Sequence, residues 1–262
     1  MKKWIELTVI LLLSISAITL IGLQLHVIGW SLLATGAFLL LFSRKQFKKD
    51  FSLLYFSIGL LGITPITTDI SYQHMFIMGI PLTLAITIPY LVSRFIYKDH
   101  LVHFKFHHGR SWYKTEIFYI FITALLAYLI LPFFLKNTDS YLNWTVTTET
   151  SHIIRLFIGT NFLGIWDELF FISTVLGILR RHISFRFANI VQSIMFTSFL
   201  YELGFQGWGV IMIFIFALIQ GYVFKKTESL FYVITIHLTL DFILFLALIH
   251  AYYPELMPIF LR

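Results

Sequence analysis

Nine apolar stretches recur along this chain, at about 4–24, 27–43, 51–67, 75–97, 114–135, 153–178, 187–205, 208–224 and 229–249, parted only by short connections. A helix needs a run of about 20 apolar residues to cross the hydrocarbon core of a bilayer. In lipid the backbone must bond to itself, so such runs are helices. Composition agrees with that reading: 58 % of residues are hydrophobic and 12 % charged, against about 25 % charged in a soluble domain. So few charges cannot cover a water-facing surface. The pattern predicts an all-α, polytopic transmembrane bundle of about eight or nine spans, the second, third and eighth being the shortest.

The distribution of basic residues sets an expected orientation. With the N-terminus in the cytoplasm, the inner segments hold Lys2, Lys3, Arg44, Lys45, Lys48, Lys49, Arg94, Lys98, Lys105, Arg110, Lys114, Arg180, Arg181, Arg186, Lys225 and Lys226. Lys136, Arg155 and Arg262 fall outside, as the positive-inside rule asks. The net charge of +6 therefore reads as topology, and no nucleic-acid partner is expected. Lys2 and Lys3 precede an apolar run longer than a signal peptide's core, without a small-residue cleavage site, so a retained first helix is expected. The absence of cysteine removes disulfides, thiolate metal sites and cysteine nucleophiles.

Chemistry is concentrated where charge is least tolerable. Residues 156–179 contain only two charges, Asp167 and Glu168, at their midpoint. An ionised side chain at the bilayer centre costs about 2.5–3.5 kcal/mol on insertion scales, so the pair is expected to share a proton and titrate as a unit. At 100° per residue, Thr160, Asn161 and Gly164 fall on the same side as the acids. That polar stripe should face the bundle interior. In the last span His237 and Asp241 are four residues apart and share a helical face, where the acid can orient and charge the imidazole. Glu202, just before Gly204 and Gly207, reads more readily as a group reaching interfacial water. The connection KDHLVHFKFHHGR places His103 and His107 at a spacing that suits a metal on a helix, but a solvated basic loop is the preferred reading.

An acidic pair followed about 70 residues later by HxxxD resembles the CPBP family, the CAAX-protease and bacteriocin-processing (Abi) intramembrane proteases, over roughly residues 155–245. The family's EExxxR motif falls on Asp167 and Glu168, with Ile172 at the arginine position. Its FxxxH motif falls on Phe196, with Leu200 at the histidine position, and its HxxxN/D motif falls on His237 and Asp241. The run KTESLFYVITIH and the pair Gln220–Gly221 match its texture. The resemblance implies N-terminal helices over 1–112, about four spans, and a protease-like core over 113–262, in a bacterial plasma membrane. It also implies Glu168, Asp167, His237 and Asp241 as catalytic residues, acting by glutamate- and histidine-assisted attack of water on a peptide bond. Without a histidine at 200, zinc would have one imidazole and carboxylates only. That is a poor donor set beside the two or three histidines usual in catalytic zinc sites, so zinc stays open but disfavoured and no cofactor is assigned. The implied partners are membrane lipid and a membrane protein or a peptide, CAAX-type or similar. The alternatives are a non-catalytic relative that binds another membrane protein, and a proton-coupled transporter, since intramembrane acids and histidines also form proton relays.

Overall fold

The computed structural model describes residues 2–260 except 107, 108 and 110. Among the described residues there are nine continuous helices and no strand. They are α1 (Lys2–Gly22), α2 (His26–Leu40), α3 (Lys45–Gly62), α4 (Tyr72–Tyr97), α5 (Lys114–Asn137), α6 (Thr150–His182), α7 (Phe185–Glu202), α8 (Gly209–Thr227) and α9 (Leu230–Tyr252). Each coincides with one of the nine apolar stretches. Six of them, α1, α4, α5, α6, α8 and α9, are long and apolar enough to cross a membrane, fewer than the eight or nine expected. Helix α2 has 15 residues, about 22 Å of rise, which is short of a 30 Å core. Helix α3 opens on Lys45, Lys48, Lys49 and Asp50, and α7 carries Arg186, Asn189, Gln192 and Glu202. Their polar turns lower the apolarity that the flanking segments suggested.

Helices α1 to α4 pack successively, α1 also lies on α7, and α9 packs on α5 and α6. Helix α6 runs through the centre, and its most apolar window is 72 % buried against 17 % for α5. Around its midpoint Trp166 stacks on Phe170 at 4.8 Å and meets Phe199 at 4.8 Å, while Phe171 meets Phe196 at 5.0 Å. The Trp166 indole N–H donates to the Leu82 carbonyl of α4 at 2.6 Å. Pro89 inside α4 leaves the Ala85 carbonyl without its helical donor, and the buried Ser57 hydroxyl of α3 supplies one at 2.8 Å. Polar residues in these apolar helices thus satisfy backbone groups that lipid could not.

The basic helix ends gather at one end of the bundle. Arg44 pairs with Glu6 at 2.6 Å, Lys49 and Arg181 with Asp99 at 3.4 and 3.0 Å, and His182 with the fully buried Asp50 at 2.7 Å. Lys105 pairs with Glu228 at the same end. No helix forms between Lys98 and Tyr113 among the described residues, and His103 lies in an irregular stretch with its ring toward the Leu101 carbonyl. His107 and His108 lie outside the described residues, so the His103–His107 pair has no structural account.

Candidate functional site

Helix α6 changes winding where its acids occur. Thr150–Asp167 is α-helical, and Glu168–Val175 is wound as a π-helix, with the Thr174 hydroxyl bonded five residues back to the Leu169 carbonyl at 3.0 Å. Such wide turns cluster at functional sites. Asp167 and Glu168 straddle the change. Both are buried, at 1 % and 0 % exposure, and so are His237 and Asp241 of α9 at 4 % and 9 %.

The structure brings the four side chains together. Glu168 Oε1 lies 2.8 Å from His237 Nδ1. On the other side of the ring, His237 Nε2 lies 3.9 Å from Asp167 Oδ2 and 3.8 Å from Asp241 Oδ1. Asp167 Oδ1, Glu168 Oε2 and Asp241 Oδ2 are buried without a hydrogen-bond partner. Among the described residues no lysine or arginine pairs with the cluster, and Ile172, at the arginine position, is fully buried in the core. Helix α9 approaches α6 closely because residue 164 is glycine: a Cβ there would lie 1.8 Å from Asp241 Oδ2.

A cavity of about 340 Å³ opens onto this cluster, with walls from α5, α6, α8 and α9. Thr160, Gly164 and Asp167 line it at i, i+4 and i+7, as do His237 and Asp241. Glu168 stands behind the imidazole. The expected stripe is corrected at one position, since Asn161 turns its amide to the Phe157 carbonyl at 2.7 Å and does not line the cavity. Apart from these groups the walls are almost wholly apolar, with Leu126, Ile130, Ile215 and Phe216 among them. Helices α5 and α8 meet at one end, where Phe134 packs edge-on against Trp208 at 4.9 Å and a Cβ on Gly209 would lie 2.6 Å from the Phe134 ring. Leu126 and Ile130 of α5 and Ile215 and Ile219 of α8 line the cavity and are themselves exposed, so it opens laterally through a cleft between these helices.

Sequence reasoning treated Gln220 only as texture. Its amide donates to Glu168 Oε1 at 2.8 Å and to the Val233 carbonyl at 3.1 Å, holding the same carboxylate oxygen that His237 Nδ1 meets. The available signal was an amide in an otherwise apolar helix. Phe196 packs against the His237 ring at 5.9 Å, and Leu200, one turn further along α7, lines the cavity. The residue at the expected histidine position therefore does face the site, as an alkyl group. Glu202 does not replace it, because its carboxylate accepts from the Gln24 amide in the α1–α2 connection. The donor set does not suit zinc: one imidazole, with Nδ1 engaged by Glu168, and no nitrogen at position 200. Among the described residues no group of three or more His, Asp or Glu side chains is arranged to hold a metal ion.

Residues 149–243 match the family described as type II CAAX prenyl endopeptidase Rce1-like. The chain carries an Rce1-like segment of the CPBP family. That segment begins at Glu149, the residue capping α6, and ends two residues past Asp241, so it contains all four clustered side chains together with Gln220 and Leu200. It covers less than half of the chain, and α5, which supplies one wall of the cavity, lies outside it. Comparison with curated proteins and with solved structures finds no match. The six helices long and apolar enough to cross a membrane mark an integral membrane protein, and its likeness to CAAX proteases rests on residues 149–243.

Proposed function

We propose that the protein is an intramembrane endopeptidase of the CPBP type, hydrolysing a peptide bond of a membrane-associated substrate of the CAAX or a similar peptide class. The observation that carries this reading is the Glu168–His237 hydrogen bond at the floor of an apolar, laterally open cavity. With Nδ1 donating to Glu168, Nε2 is the free base, and it faces the cavity between Asp167 and Asp241. Separations of 3.8 and 3.9 Å leave room for one water bonded to the nitrogen and a carboxylate together. His237 takes a proton from that water as its oxygen attacks the carbonyl carbon. Glu168, steadied by Gln220, orients the imidazole and stabilises its cationic form. When the C–N bond breaks, the proton passes from Nε2 to the leaving amine. Asp167 or Asp241, in its acid form, donates to the developing oxyanion. Helices α5 to α9, within residues 113–262, form the reacting unit, and residues 1–112 brace it. The basic end faces the cytoplasm of a bacterial cell.

The test uses the full chain in detergent or vesicles with a prenylated CAAX peptide. Glu168→Gln and His237→Ala are each expected to lower cleavage about 100-fold or more while thermal unfolding stays cooperative. Full cleavage by both variants would sink the reading. Leu200 favours a second one: an alkyl group where the family motif has an imidazole suits a relative that binds such a substrate without cutting it. Under that reading the wild-type chain retains the peptide and releases no product.

A further inference from the structure

We propose that a second cavity, at the basic end of α1, binds the phosphate of an anionic phospholipid. It measures about 370 Å³ and shares no residue with the carboxylate–histidine cavity. Lys2, Lys3 and Arg44 line it against one carboxylate, Glu6, with Phe47 and His182 behind them. Glu6 is already engaged: Arg44 grips it through Nε at 2.7 Å and Nη2 at 2.6 Å. Among the described residues the two lysine charges are therefore left uncompensated within the cavity. Helices α1 and α3 both begin here, at Lys2 and Lys45, and α3 has no side-chain cap on its first turn. The uncapped first turn of α3 adds positive potential.

The surroundings select a lipid over a soluble anion. Leu7 lines the cavity and belongs to an exposed apolar stripe, Trp4, Leu7, Leu11 and Ile15, whose 3- and 4-residue steps keep it on one face of α1. An acyl chain laid along that stripe brings its headgroup to Lys2 and Lys3. Basic pockets of this kind on the cytoplasmic side bind anionic headgroups. His182 ends the helix that carries Asp167 and Glu168, so an occupant also braces that end of α6.

Native mass spectrometry of the full chain, titrated with phosphatidylglycerol or phosphatidylcholine, tests the proposal. Wild type is expected to prefer phosphatidylglycerol about tenfold or more. Lys2→Gln with Lys3→Gln should abolish most of that preference. Lys225→Gln with Lys226→Gln, which removes equal charge from the α8 end, should leave it intact. Equal losses in the two double variants, or none in the first, would overturn the proposal. Leu11→Asn, on the exposed stripe, should weaken phosphatidylglycerol binding without touching the lysines. No effect of that variant, or ready displacement by inorganic phosphate, would show a soluble-anion site and overturn the lipid assignment.

Discussion

At the scale of single residues, the candidate site depends on one absent side chain and one absent ring. Gly164 has only hydrogen where Asp241 Oδ2 approaches. Gly164→Ala is expected to push Asp241 away and destabilise the fold by about 1–3 kcal/mol, as overpacking does. The check is thermal unfolding alongside cleavage, and a fully active, equally stable variant would contradict the packing. Leu200 already points into the cavity, so Leu200→His places an imidazole beside the carboxylates. If the chain cuts peptides, that variant should cut faster, by about tenfold or more, and should acquire zinc measurable by elemental analysis. The sequence named Asp167, Glu168, His237 and Asp241 because ionisable groups are rare inside apolar helices. The role of Gln220 was not legible because an uncharged amide is far less conspicuous there.

At the scale of helices, Asp99 ties α3, α4 and α6 together just beyond the end of α4. Burial opposes its charge, but the Leu101 N–H, the Ser93 hydroxyl, Arg181 and Lys49 outweigh that and hold the carboxyl at about 2. An ordinary aspartate titrates near about 3.9. The lowered value adds stability that is fully present above about pH 4 and is lost as pH falls through about 2. After solvent screening its worth is about 1 kcal/mol. Unfolding midpoints of wild type should therefore drop more steeply over that window than those of Asp99→Asn. Parallel pH curves would remove the clamp from the account. The nine helices were legible because each contains an apolar run set off by polar connections. The π-helical turn at Glu168–Val175 was not, since every residue there except Leu169 is buried and no exposed polar face marks the phase of the winding.

At the scale of the whole molecule, the apolar cleft between α5 and α8 gives the cavity a route to lipid. The chain has no cysteine, so a single introduced thiol is a clean probe. A bulky maleimide on Leu126→Cys or Ile219→Cys should block cleavage or peptide binding. The same label on Phe38→Cys, exposed on α2, should leave both unchanged. Block at all three positions, or at none, would argue against entry through the cleft. The gathering of Arg44, Lys49, Lys105, Arg181 and His182 at one end is the spatial form of the charge asymmetry visible in the sequence.

The sequence by itself determined that this chain is a helical membrane protein, which segments are helices, and which ionisable groups are too costly to be incidental. Those are properties of local composition and spacing; an i, i+4 pair such as His237 and Asp241 shares a face in any helix. Only the tertiary structure decided that Glu168, rather than Asp167, bonds to His237, that Gln220 holds it, that Leu200 faces the cavity and that Glu202 turns away to Gln24. Those outcomes depend on how each helix is rotated about its axis and on the π turn that shifts the winding of α6. Rotation is fixed by contacts between segments far apart in the chain, and an apolar run buried on all sides carries no record of it.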